Sequence, residues 1–163
     1  MIGNEHFDDL VANAPINFGS AKVDWAGIRS LLDGRQVDPS EVLAVSWCSF
    51  GVHDIQAEVD APALAIIYDE GILSSVGKRK TFGGSLKFSE VIFGDCHQIS
   101  ERDNADERGF GKYCIEFSGP GGVLLGRLQW IWQAKRFRDS RAQIMAVASE
   151  RDRVLKVVRS LAI

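Results

Sequence analysis

A short basic run is the feature of this sequence with the clearest chemical potential. Residues 77–81 read Gly-Lys-Arg-Lys-Thr, in a region with little other positive charge, and a further lysine follows at position 87. Lysine and arginine donate charge-assisted hydrogen bonds to phosphate and carboxylate oxygens. The candidate ligand-binding residues are therefore Lys78, Arg79, Lys80 and Lys87. The alternative is a solvated loop end whose charges discourage sheet edges from pairing.

Catalytic chemistry has weaker support in the sequence. Ser49, His53 and Asp54 are close along the chain, but Ser49 is not on a G-x-S-x-G elbow. Cys96 precedes His97, yet neighbours on a strand point to opposite faces. We therefore expect no catalytic residue, and a small α+β enzyme with a histidine-centred site stays open as an alternative.

The cysteines do not form a recognisable metal or disulfide pattern. The chain contains three, an odd number, at wide spacing, with no CxxC pair and no two-histidine ligand spacing. We expect reduced thiols, no metal and no cofactor. The three residues are Cys48, Cys96 and Cys114.

Charge and hydropathy exclude two broad classes of protein. The 19 bases and 22 acids give a net charge of -3, whereas a nucleic-acid binder needs a basic excess to displace counterions. No apolar run approaches the roughly 20 residues of a membrane helix. The first residues lack the basic and apolar regions of a secretion signal. These features predict a cytoplasmic protein with no transmembrane segment and no nucleic-acid partner.

Two short helices are predicted before the main part of the chain. Apolar residues recur at helical spacing over Asn4–Ala14 and Asp24–Asp33, and the first residue of each segment can cap it. Gly34 is expected to provide a left-handed exit from the second helix. Such short helices are unstable alone. Residues 1–40 are therefore interpreted as a helical extension packed on a main domain, residues 41–163.

From Glu41 the apolar period changes from about 3.6 to 2, which predicts strands. Gly71 is expected to occupy a left-handed turn position, and the charged segment Glu101–Gly109 is interpreted as a solvated loop. A final amphipathic helix, Arg141–Leu161, should cover the sheet. The predicted strands span Glu41–Phe50, Ala63–Tyr68, Ile72–Val76, Leu86–Phe93, His97–Ser100, Tyr113–Phe117 and Val123–Trp132.

This order of elements resembles the pleckstrin-homology superfold, in particular small bacterial PH-like and GRAM-like domains. The resemblance covers about residues 41–161. It rests on the entry strand Glu41–Ala44, the hairpin Leu64–Leu73 and the strand Leu86–Val91. It implies an α+β fold with a PH-like antiparallel curved sheet or partly open barrel, a C-terminal capping helix and two short N-terminal helices.

A PH-like scaffold implies recognition rather than catalysis. The expected function is a non-catalytic binding module for protein–protein interaction or self-association. The first alternative is binding of an anionic phospholipid or phosphate ligand through the 77–81 basic loop.

Overall fold

A computed structural model describes residues 1–16, 24–51, 63–76, 88–105, 110–133 and 140–162. The described part contains three α-helices and seven strands, with short 3-10 turns between some of them. The elements are α1 Glu5–Ala12, α2 Trp25–Gly34, β1 Ala44–Gly51, β2 Ala63–Tyr68, β3 Gly71–Val76, β4 Phe88–Ile92, β5 Gln98–Ala105, β6 Phe110–Ser118, β7 Leu124–Gln133 and α3 Ser140–Leu161.

All strand pairs are antiparallel and follow the order β4-β3-β2-β1-β7-β6-β5. The first five residues of β1 pair with β2, beginning with Ala44 opposite Ile67. Its last three residues, Ser49–Gly51, pair instead with β7. β1 thus connects a four-stranded sheet, β1–β4, to a three-stranded sheet, β5–β7. The end strands β4 and β5 do not pair with each other, so these strands form no closed barrel.

The two N-terminal helices cover one face of the four-stranded sheet. Their caps are as predicted: Asn4 accepts from the Phe7 amide at 3.0 Å, and Asp24 accepts from the Gly27 amide at 3.0 Å. Burial of apolar surface holds the helices in place, since they are too short to be stable alone. This outer core includes Phe7, Val11, Ile28, Leu32, Val45, Trp47, Leu64, Ile66 and Leu73.

The expected left-handed exit from α2 lies at a different residue. Gly34 is the last helical residue, and the positive φ, 56°, belongs to Gln36. Two more residues, Arg35 and Gln36, continue the turn after the helix. The left-handed position is therefore occupied by Gln36, a residue with a Cβ, for which a positive φ costs conformational free energy.

A second core lies between the two sheets and α3. The amphipathic helix is confirmed, and it packs on β6, β7 and β1. Its apolar stripe meets the inward-facing residues of both sheets. The fully buried members of this core include Ala65, Ile67, Ile72, Ile115, Phe117, Leu128, Trp130, Val154 and Val158.

The β2–β3 hairpin is confirmed, but Gly71 has a different role from the one predicted. Gly71 is a strand residue paired with Tyr68, and its φ is not positive. A Cβ at this position would lie 2.3 Å from the Val91 carbonyl oxygen of β4. The glycine is therefore required by the close approach of β4, and not by turn geometry.

The prediction of a loop over Glu101–Gly109 is wrong for its first half. Glu101–Ala105 belongs to β5 and pairs in register with β6, from Glu101 opposite Ile115 to Ala105 opposite Gly111. The charged side chains are compatible with a strand because β5 is at the edge of the sheet, and because ion pairs satisfy charges on both faces. Residues 106–109 lie outside the described part.

The hairpin of β6 and β7 is confirmed, with its turn at Pro120–Gly122. Gly121 and Gly122 adopt φ values of 70° and 77°, which glycine adopts without steric cost. None of the helices in the described ranges has the length and apolar character needed to cross a bilayer.

Candidate functional site

The predicted basic site lies outside the described residues. Lys78, Arg79, Lys80 and Lys87 all fall within 77–87, and His53 and Asp54 fall within 52–62. The anion-binding role of the 77–81 loop therefore stays a prediction.

The described histidines and cysteines do not form a catalytic pair. His6 donates from Nε2 to the Val42 carbonyl oxygen at 2.7 Å, and His97 is exposed. Within the described part of the chain, neither histidine is hydrogen-bonded to a carboxylate or a thiol. Burial, and then the charge of Asp95, raises the pKa of the half-buried Cys96 thiol. Cys96 is therefore a neutral thiol at physiological pH, and not an activated nucleophile.

The other two cysteines are also neutral thiols. Burial, together with the charge of Glu150, raises the pKa of Cys48, and burial also raises the pKa of Cys114. All three cysteines are free. Among the residues that the structure covers, no group of three or more histidine, cysteine or acidic side chains is arranged to hold a metal ion.

A buried chain of polar side chains fixes α3 against β1. The Trp130 indole nitrogen donates to the Ser46 hydroxyl at 3.0 Å, and Ser46 donates to Glu150 Oε2 at 2.9 Å. Arg153 donates to both oxygens of Glu150 and, through Nη2, to the Val45 carbonyl oxygen at 2.9 Å. Because the Glu150 carboxylate is almost fully buried, these partners compensate for its lost hydration.

Arg151 connects α3 to the edge strand β5. Its guanidinium donates to both oxygens of Asp103, to Asp152 at 2.8 Å, and to the Cys114 carbonyl oxygen at 3.2 Å. The group also lies over the Tyr113 ring, 5.5 Å from its centroid. Burial disfavours the charged form, but the hydrogen bonds to Asp103 and Asp152 prevail and raise the pKa of Arg151. A charged side chain therefore holds β5 at a fixed distance from α3.

The face of β5–β7 turned away from α3 carries a polar depression of about 220 Å³, which we call the polar basin. Arg127 donates to Glu116 Oε1 from Nε at 3.0 Å and from Nη2 at 2.8 Å. Arg102 lies 3.4 Å from Glu116 Oε2, and its side chain is 74% exposed. The residues that line the basin are Arg102, Asp103, Asn104, Lys112, Cys114, Glu116 and Arg127.

The outer edge of β5 has no strand beside it among the described elements. β5 has eight residues and pairs with β6 along its whole length. The other side of its backbone therefore presents amide and carbonyl groups that no described strand pairs. A strand edge of this kind can accept an extended segment of another chain.

Sequence reasoning found only part of these features. The polar residues of the β6–β7 hairpin alternate with its core residues, so the sequence indicates that those basin residues of β6 and β7 share one face. The sequence predicts a loop at Arg102 and Asn104, and it indicates no site at Glu150 or Arg151. The partners of Glu150 and Arg151 are distant in sequence, and no local sequence pattern predicts such pairs.

A comparison of the chain with known protein families and with curated proteins finds no match in either.

Proposed function

We propose that this protein is a non-catalytic binding module that takes up an extended segment of a partner protein along the free edge of β5. The proposal includes a PH-like scaffold. Its support is the antiparallel arrangement of seven strands in two sheets joined through β1, together with a C-terminal helix that packs across the junction. The open arrangement of the sheets makes this a loose likeness, and function has to be argued from the site.

The open edge of β5 is the observation that carries the proposal. Backbone hydrogen bonds to an added strand provide affinity, and the side chains next to the edge provide specificity. β5 is eight residues long, and Arg151 holds it against α3. The edge is thus already ordered before a partner binds, which reduces the entropy lost on binding.

The charges of β5 disfavour pairing with a second copy of itself. Consider two copies of the protein whose β5 strands pair antiparallel about a twofold axis and form one continuous sheet. Residues that lie directly opposite each other in this pair come from the same face of β5. Glu101 and Asp103 share one face, since they oppose Ile115 and Tyr113, and Arg102 is on the other.

The central registers of such a pair place like charges together. A pair centred on Arg102 opposes the two arginines and places Glu101 against Asp103, and a pair centred on either acid opposes two identical carboxylates. Like charges directly opposite each other destabilise a sheet. A different protein is therefore a better partner than a second copy.

Site-specific photo-crosslinking in the source organism tests the proposal. A benzoylphenylalanine in place of the exposed Asn104 of β5 should capture a discrete protein, whereas the same residue in place of the exposed Lys156 of α3 should not. Amide exchange of the purified complex should then show new protection along β5. Capture from both positions, or protection confined to another element, would contradict strand addition at this edge.

A further inference from the structure

The polar basin has a surplus of positive charge. Three bases, Arg102, Lys112 and Arg127, line it, and one carboxylate, Glu116, shares their face. Asp103 also borders the basin, but its carboxylate is bonded to Arg151 on the opposite side of the sheet. On this face the three bases outnumber the one carboxylate, which pairs with both arginines, although the net charge of the protein is -3.

Glu116 sets the positions of the two arginines. Its Oε1 holds the Arg127 fork, and its Oε2 is 3.4 Å from Arg102 Nε. Glu116 has only 10% of its side chain exposed, so it lies at the bottom of the basin, while Arg102 extends into solvent. An anion that enters from solvent thus meets the outer guanidinium nitrogens of Arg102 before it meets the carboxylate.

Lys112 is the second available donor. It lies on β6 opposite Asn104, and no residue in the described ranges accepts a hydrogen bond from it or pairs with its charge. Its amine influences the neighbouring Cys114 thiol electrostatically, and burial keeps that thiol neutral by raising its pKa. Cys114, which lines the basin next to Lys112 and the arginines, therefore adds no negative charge.

We infer that the polar basin is a binding site for a small oxyanion, a phosphate group above all, held by Lys112 and Arg102. Lysine and arginine together are the residues that bind phosphate oxygens most strongly. The basin is smaller than the roughly 300–1,000 Å³ of a typical cofactor or drug site. It suits inorganic phosphate or the terminal phosphate of a small molecule or lipid, and not a whole nucleotide. The site uses side chains on one face of β5–β7, whereas the proposed strand addition uses the outward backbone groups of β5, so phosphate binding can be measured in the absence of a partner protein.

Titration of the intact chain with inorganic phosphate tests this inference. The measurement is calorimetric, at constant ionic strength, with chloride as the competing anion. We expect saturable binding that Lys112→Gln and Arg102→Gln each weaken at least about tenfold, the loss of one charged hydrogen bond. Lys156→Gln removes an equal charge from the exposed face of α3 and should leave the affinity unchanged.

Vesicles distinguish the two sources of the phosphate group. Flotation with phosphatidic acid vesicles, compared with phosphatidylcholine vesicles, reports a lipid-borne phosphate, and the phosphate titration reports a free one. Dependence on Lys112 and Arg102 in either experiment supports the basin as the site. Binding that survives both substitutions, or no binding to phosphate or to vesicles at low salt, would overturn the inference. Unchanged thermal unfolding of both variants shows that a loss of binding is not a loss of fold.

Discussion

The Ser46 hydroxyl on β1 donates a 2.9 Å hydrogen bond to the Glu150 carboxylate on α3, across 104 positions of sequence. Ser46 also accepts from the Trp130 indole nitrogen, so one side chain connects a strand of each sheet and the final helix. Buried polar groups need specific partners. These hydrogen bonds form only when Glu150 lies opposite Ser46. A rotation or shift of α3 by one residue would break them.

Ser46→Ala should destabilise the fold by about 1–3 kcal/mol, because the Trp130 N–H and Glu150 Oε2 each lose a buried partner. Urea unfolding followed by tryptophan fluorescence measures the change. Ser160→Ala is the control, since Ser160 is an exposed serine on α3, and its effect should stay within about 0.5 kcal/mol. Equal stabilities of the two variants would contradict the role given to Ser46.

Gly71→Ala should destabilise the protein by about 1–3 kcal/mol, the usual cost of overpacking. The new methyl group would meet the backbone oxygen of Val91, which cannot rotate away as a side chain can. Gly94→Ala is the control, because a Cβ there has no heavy atom within 4 Å and its φ is not positive. Thermal unfolding of both variants provides the comparison, and a stable Gly71→Ala protein would show that β4 does not approach β3 this closely.

Arg151→Gln should loosen β5 more than it loosens the rest of the fold. It removes the hydrogen bonds to Asp103 and the Cys114 carbonyl oxygen, at a cost of about 2 kcal/mol. The cost stays moderate because water can reach Asp103, which is half exposed. Amide exchange should accelerate over residues 98–105. Arg151→Lys, which keeps the charge and loses the planar fork, should have a smaller effect.

In the folded protein, Cys96 should react with iodoacetamide before Cys48 and Cys114 do. Its reaction should be slower than that of a cysteine free in solution. Burial raises its pKa, so the thiolate fraction at pH 8 is below the ordinary one, and the rate should rise as the pH rises through and beyond the usual thiol range. Cys48 and Cys114 are buried, and they should react only on unfolding. Peptide mass spectrometry between pH 7 and 9 gives the rates. Equal labelling of Cys48 and Cys96 in folded protein would be the contrary result.

The sequence predicts most of the fold because its strongest signals are local. The β6–β7 hairpin has alternating apolar residues and turn glycines, β2 is a short continuous apolar run, and the residues Asn4 and Asp24 cap α1 and α2. Each feature depends on neighbours within one element, so a single sequence is sufficient to show it.

The edge strand shows why the remainder was not predictable. β5 has charged residues on both faces, and alternation therefore does not identify it. Its inward acid Asp103 is stabilised by Arg151, 48 positions away, and its outward Arg102 by Glu116. The polar basin is not visible in the sequence for the same reason, since its residues come from three strands and meet only after the strands pair.

Residue-resolved amide exchange along β5 in the free protein tests the open edge most directly. Backbone groups of alternate residues point to opposite sides of a strand. We predict that every second amide of residues 98–105 is protected by β6 and that the amides between them exchange rapidly. Uniform slow exchange over all eight residues would show that the edge is already covered, and would contradict a docking role for β5.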